Sequence, residues 1–148
     1  MLLRPATSGD ALDILRWRND PHTRSMSRDT SVIDVDAHLA WFAKALQDPS
    51  RLLLVAEAEG EKLGMVRFDE VDGCWEVNIN LAPEVRGQGL GAPLLKAGLS
   101  HFAERRPMVA VEAEIRPENA ASIRIFESAG FRALPPEGGL LRYAWQGT

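Results

Sequence analysis

The chemistry in this chain starts at Val85-Arg86-Gly87-Gln88-Gly89-Leu90-Gly91-Ala92-Pro93, a glycine-rich stretch between an alternating apolar run and a helical one. Glycine turns without a Cβ clash and lets an anionic ligand approach the main-chain amides closely. The first amides of the helix that follows have no internal partners and lie at the positive end of its dipole, which suits a phosphate or pyrophosphate. Val77, Ile79 and Leu81 before the loop read as a strand; Leu94, Leu95, Leu99 and Phe102 after it read as the buried face of a helix. Pro93 fits the first helical turn, where its missing amide costs little. Two common phosphate motifs are excluded. A Walker loop ends in Gly-Lys-Ser/Thr, whereas this one ends Gly91-Ala92-Pro93. A dinucleotide fingerprint needs Gly-x-Gly-x-x-Gly near a first strand, and Gly87-x-Gly89-x-Gly91 has another spacing and lies past mid-chain.

A second segment, Asn119-x-x-Ser122-x-x-x-Phe126-x-x-x-Gly130-Phe131, follows one strand later. Arg86, Gly89 and Gly91 fill the pattern Arg/Gln-x-x-Gly-x-Gly/Ala, and the two segments together resemble the acetyl-CoA half of the GNAT superfamily, the Gcn5-related N-acetyltransferases, across residues 63 to 133. The resemblance implies acetyl-CoA as co-substrate. Amides of Arg86, Gly87, Gln88, Gly89, Leu90 and Gly91 would hold the pyrophosphate. Asn119, with Ser122 and Phe126 on the same helix, would border the pantetheine arm. Backbone amides around Asn80, Leu81 and Ala82 would hold the pantetheine and the acetyl carbonyl. No metal is implied: His22, His38 and His101 lack ligand-like spacing and cysteine partners.

Acetyl transfer from a thioester to an amine needs an uncharged amine, a donor for the carbonyl oxygen and a proton for the departing thiolate; positioning alone can lower the barrier by about 7 kcal/mol or more. Alternation puts Trp75, Val77, Ile79 and Leu81 on one face of their strand and Glu76, Asn78 and Asn80 on the other. Glu76 is the candidate base, a solvent-facing strand glutamate being the plainer alternative, and Glu112 or Glu114 on the next strand can substitute. The family's usual general acid is a tyrosine seven residues after the asparagine; here that residue is Phe126, which has no proton to give. Tyr143, the one tyrosine, is the remaining candidate, alongside water or no dedicated acid.

Substrate clues lie in Trp17-Arg18-Asn19-Asp20-Pro21-His22-x-Arg24-x-x-Ser27 and His38-x-x-Trp41-Phe42. These resemble the branch containing amino-sugar-nucleotide acetyltransferases of pseudaminic-acid-type pathways, parts of which ribosomal-protein N-terminal acetyltransferases share. Arg18 and Arg24 can meet a diphosphate or carboxylate, Trp41 can stack on a sugar or uracil face, and His38 can line a cleft beside it. Asn19 with Arg18 can equally be a structural clamp at a helix end. The expected acceptor is a small amine, most plausibly on an amino sugar nucleotide, with a protein or peptide amine as the alternative. A third reading is a sensor that binds acyl-CoA without turnover.

The elements that must position these residues alternate along the chain. A strand over 2–6 precedes a helix capped by Ser8 or Asp10 and broken at Asn19-Asp20-Pro21. A second helix begins near Asp34 or Asp36, with Val35, Leu39, Phe42 and Leu46 as its buried stripe. Strands over 52–57, 63–71 and 75–81 are joined by tight turns at Glu59-Gly60-Glu61 and Asp72-Gly73. Then come the loop and its helix to about Ala103, a strand over 108–115, a helix over 119–129 ended by Gly130, and a pair of strands over 131–134 and 140–145. One mixed α/β (α+β) domain over 1–148 results, a mostly antiparallel sheet of about seven strands with about four helices. Its net charge of −4 argues against broad nucleic-acid binding, and no apolar run approaches a membrane span. The lone Cys74 forms no internal disulfide and fits a reducing cytoplasm. A monomer or homodimer is expected.

Overall fold

A computed structural model describes residues 1–146. In chain order the elements are β1 (Leu2–Pro5), α1 (Ala11–Asn19), α2 (Pro21–Met26), α3 (Val35–Gln47), β2 (Arg51–Ala58), β3 (Glu61–Val71), β4 (Cys74–Leu81), α4 (Gly91–Arg105), β5 (Ala110–Ile115), α5 (Ala120–Ser128), β6 (Arg132–Glu137) and β7 (Leu140–Gln146). They build one seven-stranded sheet in the order β1-β2-β3-β4-β5-β7-β6, antiparallel everywhere except between β4 and β5. The two turns read from sequence carry positive φ at both residues: 52° and 80° at Glu59 and Gly60, 51° and 80° at Asp72 and Gly73. That is the backbone of the two-residue hairpin whose twist matches its strands.

The pleat divides the sheet's two faces between two cores. One face, with Val66, Phe68, Trp75 and Val77, packs on Leu94, Leu95 and Phe102 of α4 and on Phe126 of α5. The other, with Leu53, Val55 and Met65, packs on Ile14 and Trp17 of α1 and Phe42 of α3. Asp10, only 1% exposed, staples the start of α1 to this second face. Its carboxylate accepts hydrogen bonds from Arg4 at 2.8 and 2.9 Å and from the Thr7 amide at 2.8 Å, and lies 2.8 Å from Lys62 Nζ of β3.

β4 and β5 pair only at Trp75 with Val111 and Glu76 with Glu112. Beyond Glu76 the strands part, so the rest of β4 has a neighbour on the β3 side alone. β3 is drawn tightly against that unpaired stretch at Gly64, where a Cβ would come within 2.5 Å of the Asn80 carbonyl and 3.2 Å of Leu81 Cα.

Several expectations need correcting. The α-helices number five among the described residues, because Asn19-Asp20-Pro21 ends α1 and also starts α2: Asp20 caps it, accepting the Thr23 amide at 3.1 Å, and Pro21 occupies its first turn. In α3 the periodicity is right but its phase is turned. Val35 and Leu39 are 44% and 41% exposed, while His38, Phe42 and Ala45 are buried. β5 starts at Ala110 rather than Met108, which sits at a left-handed φ of 65°.

Candidate active site

The divergence of β4 from β5 opens a cleft of about 850 Å³. It runs from Arg86, Gly87, Gly89, Leu90 and Gly91, past Asn119, Ser122 and Phe126, to Asn80, Leu81, Glu76 and Arg18. Gly87 and Gly89 take left-handed φ values of 76° and 73°, with open space where a side chain would point. Gly91 has a different reason for lacking a side chain, since a Cβ there would drive into Ile125 of α5. Close approach of α5 keeps Asn119 beside the loop. As the cap of α5, Asn119 accepts the Ser122 amide at 3.2 Å with Oδ1, so its amide nitrogen is the group left for a ligand. Gln88 is exposed and does not line the cleft; Arg86 does, while its guanidinium ties the loop to Asp20 and Thr23 of α2.

Of the three backbone positions proposed at the end of β4, one faces the opening. The Ala82 amide donates to Leu63 of β3 at 2.8 Å, and Ala82 is 2% exposed. Successive strand amides alternate in direction, so the Asn80 amide also points to β3 and the Leu81 amide points to the side that β5 has vacated. The Ala82 amide is thus taken up by β3, the Leu81 amide is the one turned to the cleft, and Asn80 lines the wall.

Glu76 lines the cleft at the last paired position before the strands part. Burial, opposed by Arg28 and reinforced by Glu114 and Asp69, raises its pKa above the ordinary glutamate value. Arg28, on the loop after α2, lies 3.7 Å from Glu76 and 3.1 Å from Glu114. Glu114 also lines the cleft, whereas Glu112 is engaged by Arg142 and by the Cys74 thiol at 3.3 Å.

Tyr143 is not at the cleft. It is 5% exposed in the α4–α5 core, with its hydroxyl 3.5 Å from Glu127, and burial pushes its pKa up. The shape of the sheet decides this: β7 pairs with β5 on the side away from β4. Tyr143→Phe is expected to leave kcat and its alkaline pH dependence unchanged while costing under about 1 kcal/mol of stability. Loss of turnover in that variant would return the acid role to Tyr143.

The substrate candidates separate. Arg18 lines the cleft; one terminal nitrogen donates to the Asp29 carbonyl and the other, Nη1, is buried without a protein partner. Burial lowers its pKa, Asp29 opposes this, and the nearby Arg67 charge lowers it further. Asn19 is a clamp, exchanging hydrogen bonds of 3.0 and 2.8 Å with the Ile33 backbone. Arg24 does not line the cleft. His38 is 4% exposed, its Nε2 2.7 Å from the Ala11 carbonyl, so it joins α3 to α1 instead of facing a ligand. Burial lowers its pKa. Trp41 stacks on no open space: the guanidinium carbons of Arg67 and Arg51 lie over its ring at 5.3 and 5.7 Å.

Sequence reasoning missed Arg28, Arg51, Arg67 and Asp69, all of which line the cleft. For Arg67 and Asp69 a signal existed. The Asp72-Gly73 hairpin fixes the register that sets Asp69 opposite Glu76 and Arg67 opposite Asn78, on the polar face.

A sheet whose single parallel pair splays beside a glycine-rich helix start defines a protein that seats a phosphate-tailed ligand with its far end between strands. The acetyltransferase (GNAT) domain model matches residues 1–132, and the chain belongs to this family. It is 33% identical over 155 residues to an L-methionine sulfoximine/L-methionine sulfone acetyltransferase of Salmonella typhimurium, covering 98% of this chain and 89% of the relative. It is 30% identical over 135 residues to an L-2,4-diaminobutyric acid acetyltransferase of Nocardia farcinica, covering 88% of this chain but only 64% of that longer protein. Among solved structures, yncA of Salmonella typhimurium with its cofactor acetyl-CoA superposes with a TM-score of 0.81 at 27% identity, over 99% of this chain and 93% of that one. Among the described residues no helix is long and apolar enough to cross a membrane, and no cluster of metal-ligating side chains gathers.

Proposed function

We propose that this chain is an acetyl-CoA-dependent N-acetyltransferase acting directly on the primary amine of a small molecule. One observation carries the reading: the glycine loop, the free Leu81 amide and Glu76 all border one cleft where β4 leaves β5. The residues fit the co-substrate, since the open side of Gly87 and Gly89 accommodates phosphate oxygens and the parting of the strands accommodates an arm. When bound, acetyl-CoA supplies a thioester carbon open to attack.

The residues then divide the work. Amides of Arg86, Gly87, Gly89, Leu90 and Gly91, at the α4 N-terminus, hold the pyrophosphate. Asn119 and Ser122 border the pantetheine, and Phe126 walls it. The Leu81 amide donates to the carbonyl oxygen, which gains negative charge as the amine nitrogen bonds to the carbon. Glu76 takes the proton that the amine gives up. The carbon–sulfur bond breaks and its electron pair leaves on sulfur. With Phe126 in the tyrosine position and Tyr143 in the core, neither serves as the acid; a thiol of pKa about 8.5 departs tolerably without one.

For the acceptor, the two relatives are named for small amino acids, and neither name supports the amino sugar nucleotide expected from sequence. A small amine is the better reading. The test is titration calorimetry with acetyl-CoA, followed by a thiol-release screen over amino acids, polyamines, amino sugar nucleotides and N-terminal peptides. Binding with turnover on one class is expected. Binding without turnover would favour the sensor, and absence of binding would remove the reading of the Arg86–Gly91 loop.

A further inference from the structure

The polar face of β3 and β4 carries an arrangement that acetyl transfer by itself does not require. Asp69 is shared by two arginines, accepting from Arg51 Nη1 at 2.8 Å and from Arg67 Nε at 2.9 Å. Both guanidinia lie over the ring of Trp41, which reaches across from α3. Arg51 also has Asp48 at 3.4 Å. Arg67 has only Asp69 among the described residues, so its two terminal nitrogens are left over, and its side chain is 30% exposed in the cleft wall. Beside it Arg18 holds its buried, unpartnered Nη1. A guanidinium fixed through Nε and stacked on an indole keeps its terminal edge rigid, the geometry that grips a carboxylate with two parallel hydrogen bonds.

The position of that edge relative to Glu76 decides what it would grip. Asp69 pairs with Glu76 and Arg67 with Asn78, so Arg67 and Glu76 are diagonal neighbours on one face. Such neighbours have Cβ atoms somewhat less than about 7–8 Å apart, so their side chains share one stretch of wall. In an α-amino acid the nitrogen and the carboxylate carbon are about 2.5 Å apart. An acceptor that holds its carboxylate this close to its amine can meet the Arg67 edge and Glu76 along one stretch of cleft wall.

We propose that Arg67, held between Asp69 and Trp41 and assisted by Arg18, is the receptor for the acceptor's carboxylate, and that the acceptor class is the α-amino acid, acetylated on its α-amine. This rests on the acetyl-transfer reading above. Arg67 and Arg18 bind; Trp41, Asp69 and Arg51 are positioning residues that act through Arg67. Trp41 thus serves the substrate without touching it.

The experiment compares kcat/KM for L-methionine sulfone, L-leucine and L-phenylalanine with that for their carboxamides, using acetyl-CoA and thiol release. A carboxamide keeps the α-amine and side chain, removes the negative charge and makes the amine easier to deprotonate, so any preference for the acid reports the receptor. The wild type is expected to prefer acids by about ten- to hundredfold, mainly through KM. In Arg67→Gln the ratio of acid to amide should fall to near one. Trp41→Leu should erode the ratio, and Trp41→Phe, which keeps an aromatic face, should restore most of it. A merely structural role for Trp41 would lower kcat/KM for acid and amide together and leave their ratio alone; that result overturns its positioning role. A wild type without acid preference, a preference that survives Arg67→Gln, or turnover confined to amines lacking a carboxylate overturns the receptor while sparing the acetyl-transfer reading. No turnover on any amine overturns both.

Discussion

Replacement of Glu76 by glutamine is expected to lower kcat by about 10²- to 10⁴-fold, the range a positioned general base contributes. Glutamine keeps the shape of the side chain but cannot accept the amine's proton. The wild-type pH profile should show why Glu76 suits the task. Its folded-state pKa is raised above the ordinary value of about 4.3, chiefly by burial. Arg28 works against this; Glu114 across the parting strands and Asp69 on β3 work with it. Glu112 stands in register with it on β5, and Cys74 precedes it by two residues on β4. The base must be ionised to act, so kcat/KM should climb with pH through an apparent pKa above that of a free glutamate. Arg28→Ala, which removes the cation 3.7 Å away, should move the acid limb to still higher pH. An unchanged profile and turnover in the glutamine variant would sink the assignment and pass it to Glu114, which lines the cleft beside it.

The second large effect concerns stability. Asp10→Asn should cost about 3 kcal/mol, the lower end of the range for breaking a buried ion pair, because Arg4 and Lys62 are each 27% exposed and recover some hydration. The same site makes stability depend on acid in a defined direction. Hydrogen bonding to Arg4, then to Lys62 and the Thr7 amide, outweighs burial and holds the Asp10 carboxyl well below the usual carboxylate range. A depressed folded-state pKa means that the contribution is complete above the unfolded value of about 3.9 and drains away as pH falls below it. Urea unfolding from pH 6 to pH 2 should therefore show wild type losing stability below about pH 4, with that part of the loss absent in Asp10→Asn. Parallel curves for the two proteins would show that Asp10 is not the group responsible.

The residues legible from sequence are those whose role is settled by their immediate neighbours. Gly87, Gly89 and Gly130 take positive φ, 76°, 73° and 95°, where the loop and the end of α5 were expected to need it. Asn119 caps its helix, and the two hairpin turns form at the residues that permit them. α2 escaped notice although its signals were present. A helix of six residues has no buried stripe to betray it, and Asp20-Pro21 is as good a start as an end.

What stayed hidden depended on other elements. A 3.6-residue period has no phase until something packs on it: α1 chose the His38, Phe42 and Ala45 face of α3, which left Leu39 outside and Trp41 facing two arginines from β2 and β3. Tyr143 satisfied the chemistry of a general acid, yet the strand order put it behind β5. Arg28 lies in a polar stretch with no periodicity at all, and only the path of that loop over the cleft sets it against Glu76 and Glu114. By itself the sequence determined the backbone of the proposed cofactor half, because glycine conformations, caps and strand alternation are local properties of a few adjacent residues. The proposed acceptor half was decided by the tertiary structure, because its charges come from β2, β3, β4, β5, α1 and the loop after α2, brought together only when the sheet forms and β4 leaves β5.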